Sequence, residues 1–269
     1  MEYLLGQVFE QYSSHNLDRL NGLKPEKESS KAVVKLIEHK ITIGSKILEV
    51  GCSSGHLLRT LNKKSLALNY IGVDIDRYAI KKGNESITNL NFSGIKNAQL
   101  LESSVEDLPF NDNEFDVVVS LNVIEHLHEP KKAIKEMLRC AKNFIIIRTL
   151  MSDQTYIVKE VRNERHGALG YEHLVLPEPK DELDELGNPR VYIYQNVYSK
   201  DLISGILNEQ SDVKTWNIFE DDMFDQKAFE LDNKVSNLPR ITKVINGKQV
   251  RGLFIDTNHW ISVEKNLNS

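Results

Sequence analysis

Cysteine is scarce: the 269-residue chain has two. Cys52 and Cys140 are too few for a disulfide framework or a zinc cluster. Long apolar runs are missing as well, since none approaches the roughly 18–20 residues that span a bilayer. The opening stretch MEYLLGQVFEQYSSH has no basic segment ahead of its short apolar run, so no signal peptide is expected. A reducing cytoplasm is the expected compartment. Excess positive charge is also lacking. The formal net charge of −5 gives no overall field that favours nucleic acid or an anionic membrane. No internal repeat or low-complexity block interrupts the chain. What is present is an ordinary globular composition, 40% hydrophobic and 27% charged. It suits one large domain, or one domain with an embellishment, whose core needs no covalent staples.

The apolar runs alternate with helical patterns. KILEV (46–50), NYIGVDID (69–76), AQLLE (98–102), EFDVVVSLN (114–122) and NFIIIRT (143–149) read as five strands. Between them, His56 to Leu61, Arg77 to Gly83 and the segment opening at Pro130 read as helices, with Pro130 in the first turn, where its missing N–H costs nothing. Continuous apolar strands separated by helices are the pattern of a parallel sheet covered on both faces. Val33, Leu36, Ile37 and Ile41 form a helical stripe ahead of the first strand. Residues 1–30 are a polar extension with a short helix over 2–11, and 31–150 form the core of the domain. After Leu150 the rhythm changes: residues 151–196 are polar, aromatic and charged, and a stretch of that length without regular pattern reads as a lid. Residues 197–269 return to the domain with a helix over 199–207, strands DVKTWNIF (212–219) and HWISVEKN (259–266), and a loop or hairpin over 221–248.

The stretch KILEVGCSSGHLLRTL places Gly51 and Gly55 between a buried strand and a helix. Glycine there allows positive φ and close backbone approach, and in open parallel sheets ligands sit beyond such strand ends. The spacing is G-x-x-x-G. It is neither the G-x-G-x-x-G of dinucleotide sites nor a P-loop, because no Gly-Lys-Ser/Thr follows. Glu49 precedes the turn by two residues and would repel a pyrophosphate but attract a cation. S-adenosylmethionine (SAM) carries an ammonium and a sulfonium and no phosphate. Asp74 follows Glu49 by 25 residues, at the end of the second strand, where it can accept hydrogen bonds from ribose hydroxyls.

These segments together resemble the class I SAM-dependent methyltransferases, in particular the small-molecule group of types 11 and 23. ILEVGCSSG is similar to the family's first motif, usually E-x-G-x-G-x-G, and YIGVDID to its second, with the ribose-binding acid. SSVEDLPFNDNEFDVVVSLNVIEHL is similar to its adenine-contacting loop, fourth strand and following turn. The likeness covers roughly residues 31–150. It implies a Rossmann-like α/β fold: a seven-stranded, mostly parallel sheet flanked by helices, with a lid-like insertion after the fifth strand. It also implies that Glu49, Gly51, the small turn residue Cys52 and Gly55 line the methionine end of SAM. Asp74 would bind ribose, with Ile75 against adenine; Val105 and Glu106 would border the adenine; Asn122 and Val123 would lie beside the sulfonium. Two positions depart from the pattern. Ser53 stands at the family's usual middle glycine, and Ser104 where many members carry an acid for the adenine amino group.

The implied reaction is in-line displacement at the SAM methyl carbon, which requires the nucleophile to be held near attack distance and water to be excluded. An alcohol acceptor also needs a proton acceptor. His126 and His128 follow the fourth strand. His166 and His173 lie in the insertion, beside Arg162, Arg165 and Tyr171, which suit an anionic or sugar-like acceptor. His173, in its Gly-Tyr-Glu-His-Leu context, is preferred to His166 as the base. The Asn/Asp-Pro-Pro-Tyr/Phe turn of DNA-adenine and protein-glutamine methyltransferases is replaced by SLNVIEHL. Asn122-x-x-Glu125-His126 is similar to the Glu-x-x-Glu-His metal motif of small-RNA 2′-O-methyltransferases, but it lacks the first carboxylate, so no metal is expected. The expected function is methyl transfer from SAM to a small metabolite or sugar-like intermediate, at oxygen, with neither nucleic acid nor membrane as partner. The alternatives are a metal-assisted RNA 2′-O-methyltransferase and a non-catalytic SAM-fold subunit.

Overall fold

In the computed structural model, which describes residues 14–161, 192–223, 242–245, 248–251 and 257–266, the apolar runs become the middle of one sheet. A helix α1 covers 14–21, and α2 (Glu28–Ile37) buries Ala32, Val33, Val34 and Ile37. β1 (Lys46–Val50) leads through the glycine turn into α3 (Leu57–Asn62). β2 (Leu68–Asp74) is followed by α4 (Arg77–Asn89), capped by Asp76, whose carboxylate accepts from Ala79 N at 3.0 Å. β3 (Ile95–Glu102) and β4 (Phe115–Leu121) come next, and a 3-10 turn over Ile124–His126 links β4 to α5 (Pro130–Cys140). Pro130 sits in the first turn of α5, as the sequence predicts. β5 (Ala141–Ser152) is a 12-residue strand. β6 (Lys159–Val161) and β7 (Tyr192–Tyr194) pair antiparallel as a separate ribbon. β8 (Tyr198–Ser199), α6 (Lys200–Asn208), β9 (Val213–Glu220), β10 (Thr242–Ile245), β11 (Lys248–Arg251) and β12 (Thr257–Lys265) complete the order.

The seven strands expected from sequence run in the order β3-β2-β1-β4-β5-β12-β9. β3, β2, β1, β4 and β5 are mutually parallel, and β12 runs antiparallel to both β5 and β9. The β10–β11 hairpin joins β12 through Val250 and Thr257, and β8 adds a two-residue pairing to β5. Strand order reverses between β1 and β4, the crevice where open α/β sheets receive ligands. Alternation along β4 separates two cores: Val118 packs with Ile134, Met137 and Ile203 on one face, while Val117 and Val119 pack with Val33, Leu58 and Trp260 on the other.

The structure extends several expected elements. α4 runs on to Asn89 instead of stopping at Gly83, and β3 starts at Ile95. Gly83 stays inside the helix because α4 crosses the glycine turn there. A Cβ on it would meet the Ser54 carbonyl oxygen at 2.7 Å and Leu100 Cδ1 at 2.3 Å. Gly83→Ala is therefore expected to destabilise the protein by about 1–3 kcal/mol through overpacking, despite alanine's better helix propensity. Urea denaturation measures this, and a stabilised variant would contradict the packing argument. The expected helix over 2–11 and the insertion segment 162–191 lie outside the described residues.

Candidate active site

The C-terminal ends of β1, β2 and β4 bring the motif residues together. Gly51 N and Cys52 N both donate to the Val73 carbonyl, at 2.8 and 3.0 Å, which ties the glycine turn to β2. Gly51 has φ +76°, and a Cβ there would lie 2.1 Å from Val123 Cγ2. Glycine is thus needed twice, for its backbone and for the approach of the turn after β4. Gly55 also has positive φ, +79°. Ser53 has φ +50°, so the family's middle-glycine position keeps its left-handed backbone here at a residue that bears a Cβ.

Asp74 closes the turn from the side of β2. One carboxylate oxygen accepts from Ser53 N at 2.7 Å and the other from Asp76 N at 2.9 Å. Each oxygen retains a lone pair for a further donor. Burial pushes the Asp74 carboxyl above its ordinary range, and these backbone N–H groups pull it back. Beside it Ile75 is 66% exposed and Tyr78 38% exposed, an uncovered apolar shelf next to a carboxylate. Val105 is buried, and Glu106 is half-buried.

Glu49, the carboxylate that the sequence analysis reads as attracting a cation, lies inside the fold. It is 1% exposed and accepts a short hydrogen bond from Tyr70 Oη. Burial pushes its pKa up to about 8, with the Tyr70 bond and the Lys27 charge opposing that shift. Cys52 is fully buried under the turn, and burial raises its thiol well above the ordinary value, so it is a packing residue.

Asn122 follows β4 with φ +59°, its N–H on the Arg148 carbonyl at 2.8 Å. Its side-chain Oδ1 accepts from Arg148 Nη1 at 2.6 Å, and Arg148 Nε and Nη2 both reach an Asp221 carboxylate oxygen at 2.8 Å. This buried relay was missed by sequence reasoning. The available signal was an arginine closing the apolar run FIIIRT, which implies a buried partner. Glu125 is fully buried; one oxygen accepts from Thr149 Oγ1 at 3.0 Å, and the other has no hydrogen-bond partner among the described residues. His126 is exposed, with Nδ1 2.8 Å from the Tyr194 carbonyl. A carbonyl only accepts, so Nδ1 is the donor in that contact. His128 packs edge-on against Tyr194. Glu125 and His126 thus face different partners, and among the described residues no three His, Cys, Asp or Glu side chains are grouped to hold a metal ion. His166, His173, Arg162, Arg165 and Tyr171 lie outside the described residues.

A reversed-order parallel sheet with a glycine turn on β1, an acid ending β2 and an asparagine turn on β4 defines the class I SAM-dependent methyltransferase fold. Residues 48–144 match a family model described as "Methyltransferase domain". This part of the chain is thus similar to the methyltransferase domains of that family. Over 140 residues the chain is 33% identical to the demethylmenaquinone methyltransferase of Staphylococcus carnosus (strain TM300), covering 51% of this chain and 55% of that protein. Over 147 residues it is 31% identical to cycloartenol-C-24-methyltransferase 1 of Oryza sativa subsp. japonica, covering 52% and 39%. The chain thus spans about half or less of the length of these curated relatives. The geranyl diphosphate C-methyltransferase of Streptomyces coelicolor A3(2), solved with Mg2+, geranyl diphosphate and S-adenosyl-L-homocysteine, superposes with a TM-score of 0.55. It is 12% identical and the match covers 88% of this chain and 81% of that one, a likeness of fold.

Proposed function

We propose that the protein transfers the methyl group of SAM to a small metabolite or sugar-like acceptor, at oxygen. The observation that carries the cofactor reading is the Asp74 carboxylate, drawn 2.7 Å from Ser53 N at the mouth of the glycine turn, with acceptor capacity left for two ribose hydroxyls. The donor set fits the rest of SAM: Glu49 for the ammonium, Ile75 and Tyr78 for the adenine face, and Asn122 beside Val123 for the sulfonium end. Bound SAM supplies a methyl carbon on a good leaving group. The protein's share is to hold the acceptor in line, exclude water, and take the acceptor's proton.

Three histidines are proposed for that proton: His173 first, with His166, in the insertion, and His126 in the 3-10 turn after β4. His126 gains support from its Tyr194 contact, which makes Nδ1 the donor, so that the neutral ring accepts at Nε2. The insertion over 151–196 would form the acceptor wall, and its stem is fastened to the turn after β4. Asn196 Nδ2 donates to the Leu127 carbonyl at 2.6 Å, and Tyr198 Oη to the Ile124 carbonyl at 2.9 Å. A cytoplasmic location and a small-molecule partner belong to the same proposal.

The test is release of S-adenosylhomocysteine when the protein meets fractionated small metabolites, with the methylated product identified by mass spectrometry. Alanine at the histidine that acts as base should lower turnover by about 10²–10⁴-fold and leave SAM affinity nearly intact. Full turnover in His126→Ala, His166→Ala and His173→Ala would remove a histidine base. The second reading, a carbon acceptor, would then lead; two relatives carry C-methyltransferase names.

A further inference from the structure

Arg148 and Asp221 put a full pair of charges inside the fold, next to the turn after β4. Their side chains are only 7% and 2% exposed. In the sheet Arg148 pairs with Trp260, and its guanidinium carbon lies 5.9 Å from the centre of that fully buried ring. Asp221 follows β9, and its own N–H donates to the Asn258 carbonyl at 2.9 Å. The two side chains therefore meet at a place set by β5, β12 and β9 and almost closed to water. Removing one partner of such a pair leaves the other charge buried and uncompensated.

The pair is unequally used. Arg148 Nε and Nη2 both reach Asp221 Oδ2 at 2.8 Å, and Nη1 donates to Asn122 Oδ1 at 2.6 Å. Asp221 Oδ1 is buried and has no hydrogen-bond partner among the described residues. Each guanidinium nitrogen thus has an acceptor, while one oxygen of the carboxylate has no donor. A neutral side chain could equally donate a hydrogen bond to Asn122. A bare positive charge at that place would repel any cationic ligand beside Asn122, and a carboxylate cancels the repulsion.

We propose that Asp221 sets the preference of the site for the charged methyl donor over its neutral product. It balances the arginine that fixes Asn122, so the sulfonium of SAM meets no net positive charge past the end of β4. When the methyl group leaves, the C–S bonding pair stays on sulfur, and the sulfonium becomes the neutral thioether of S-adenosylhomocysteine. The contribution of Asp221 is then lost, which favours exchange of product for donor. The proposal rests on the SAM reading above, with Asn122 beside the sulfonium. Asp221 acts through Arg148 and through its charge, and is a positioning residue.

SAM and S-adenosylhomocysteine share the adenosine and the amino-acid end, so the ratio of their dissociation constants isolates the charge on sulfur. Titration calorimetry of the full chain with both ligands reads it. Asp221→Asn leaves Arg148 uncompensated and should shift the ratio about 10-fold toward S-adenosylhomocysteine, the effect of one poorly screened charge on another a side chain's length away. Arg148→Gln leaves Asp221 uncompensated and should shift it in the other direction, toward SAM. The double variant Arg148→Gln/Asp221→Asn, neutral throughout, should return it to within about threefold of the unsubstituted value. A merely structural pair would weaken both ligands alike. Ratios unchanged in the single variants, or moved in the same direction, would overturn the proposal and leave the SAM reading standing. If Asp221→Asn does not fold, the sign of the shift in Arg148→Gln decides. If the unsubstituted protein binds neither ligand, the SAM reading itself fails.

Discussion

Asp74→Ala is expected to weaken SAM binding by about two to three orders of magnitude, measured by titration calorimetry. On the proposed reading of the site, the substitution removes acceptors for two ribose hydroxyls, and hydrogen bonds to a charged partner contribute about 1.5–3 kcal/mol each. It also frees Ser53 N, which Asp74 holds at 2.7 Å, so the left-handed turn loses a restraint. The loss should not come from unfolding. Asp76, not Asp74, caps α4 through Ala79 N at 3.0 Å, and β2 keeps its pairing with β1 and β3. Asp74→Asn keeps the shape and one acceptor oxygen and should fall between the two. Unchanged affinity in Asp74→Ala would remove the assignment of this crevice to SAM.

The second large effect is a dependence of stability on pH that originates at Glu49. Its carboxyl has an ordinary value near 4.5 and is raised by burial to about 8 in the folded protein. Between those values the folded state keeps a proton that the unfolded chain gives up. Stability from this group is full below about 4.5 and is lost as pH rises through about 8, with a total on the order of several kcal/mol. Glu49→Gln, neutral in both states, should flatten that slope and be the more stable protein at pH 8. Urea denaturation at pH 5, 6.5 and 8 checks it, and parallel slopes for the two proteins would refute it. The same substitution should weaken SAM binding, because an ammonium beside Glu49 favours the ionised carboxylate. SAM binding near neutral pH should accordingly release a proton, visible as a calorimetric heat that changes with the ionisation enthalpy of the buffer.

The two predictions differ in how far they were legible beforehand. The position of Asp74 beside the glycine turn is legible from its place at the end of an apolar run and its spacing from Glu49, both local properties. Gly51 was found in the same way, because a strand-to-helix turn demands positive φ wherever it is folded. The protonation of Glu49 had no such signal. It depends on Tyr70 from β2 and on burial from every side, and a motif shows neither.

The sequence by itself determined the alternation of buried strands and helices, the glycine turn, the strand-end acid, and hence the class of fold, because period and backbone conformation are set by neighbours in the chain. Tertiary structure alone decided the rest. Arg148 meets Asp221 across 73 positions to hold Asn122, and Asn16 meets Ser53 across 37 to place α1 on the turn. It also left Glu49 inside and Ile75 outside. Charge, burial and hydrogen-bond partnership arise from packing between distant elements, and no local pattern encodes which distant residue will be the partner.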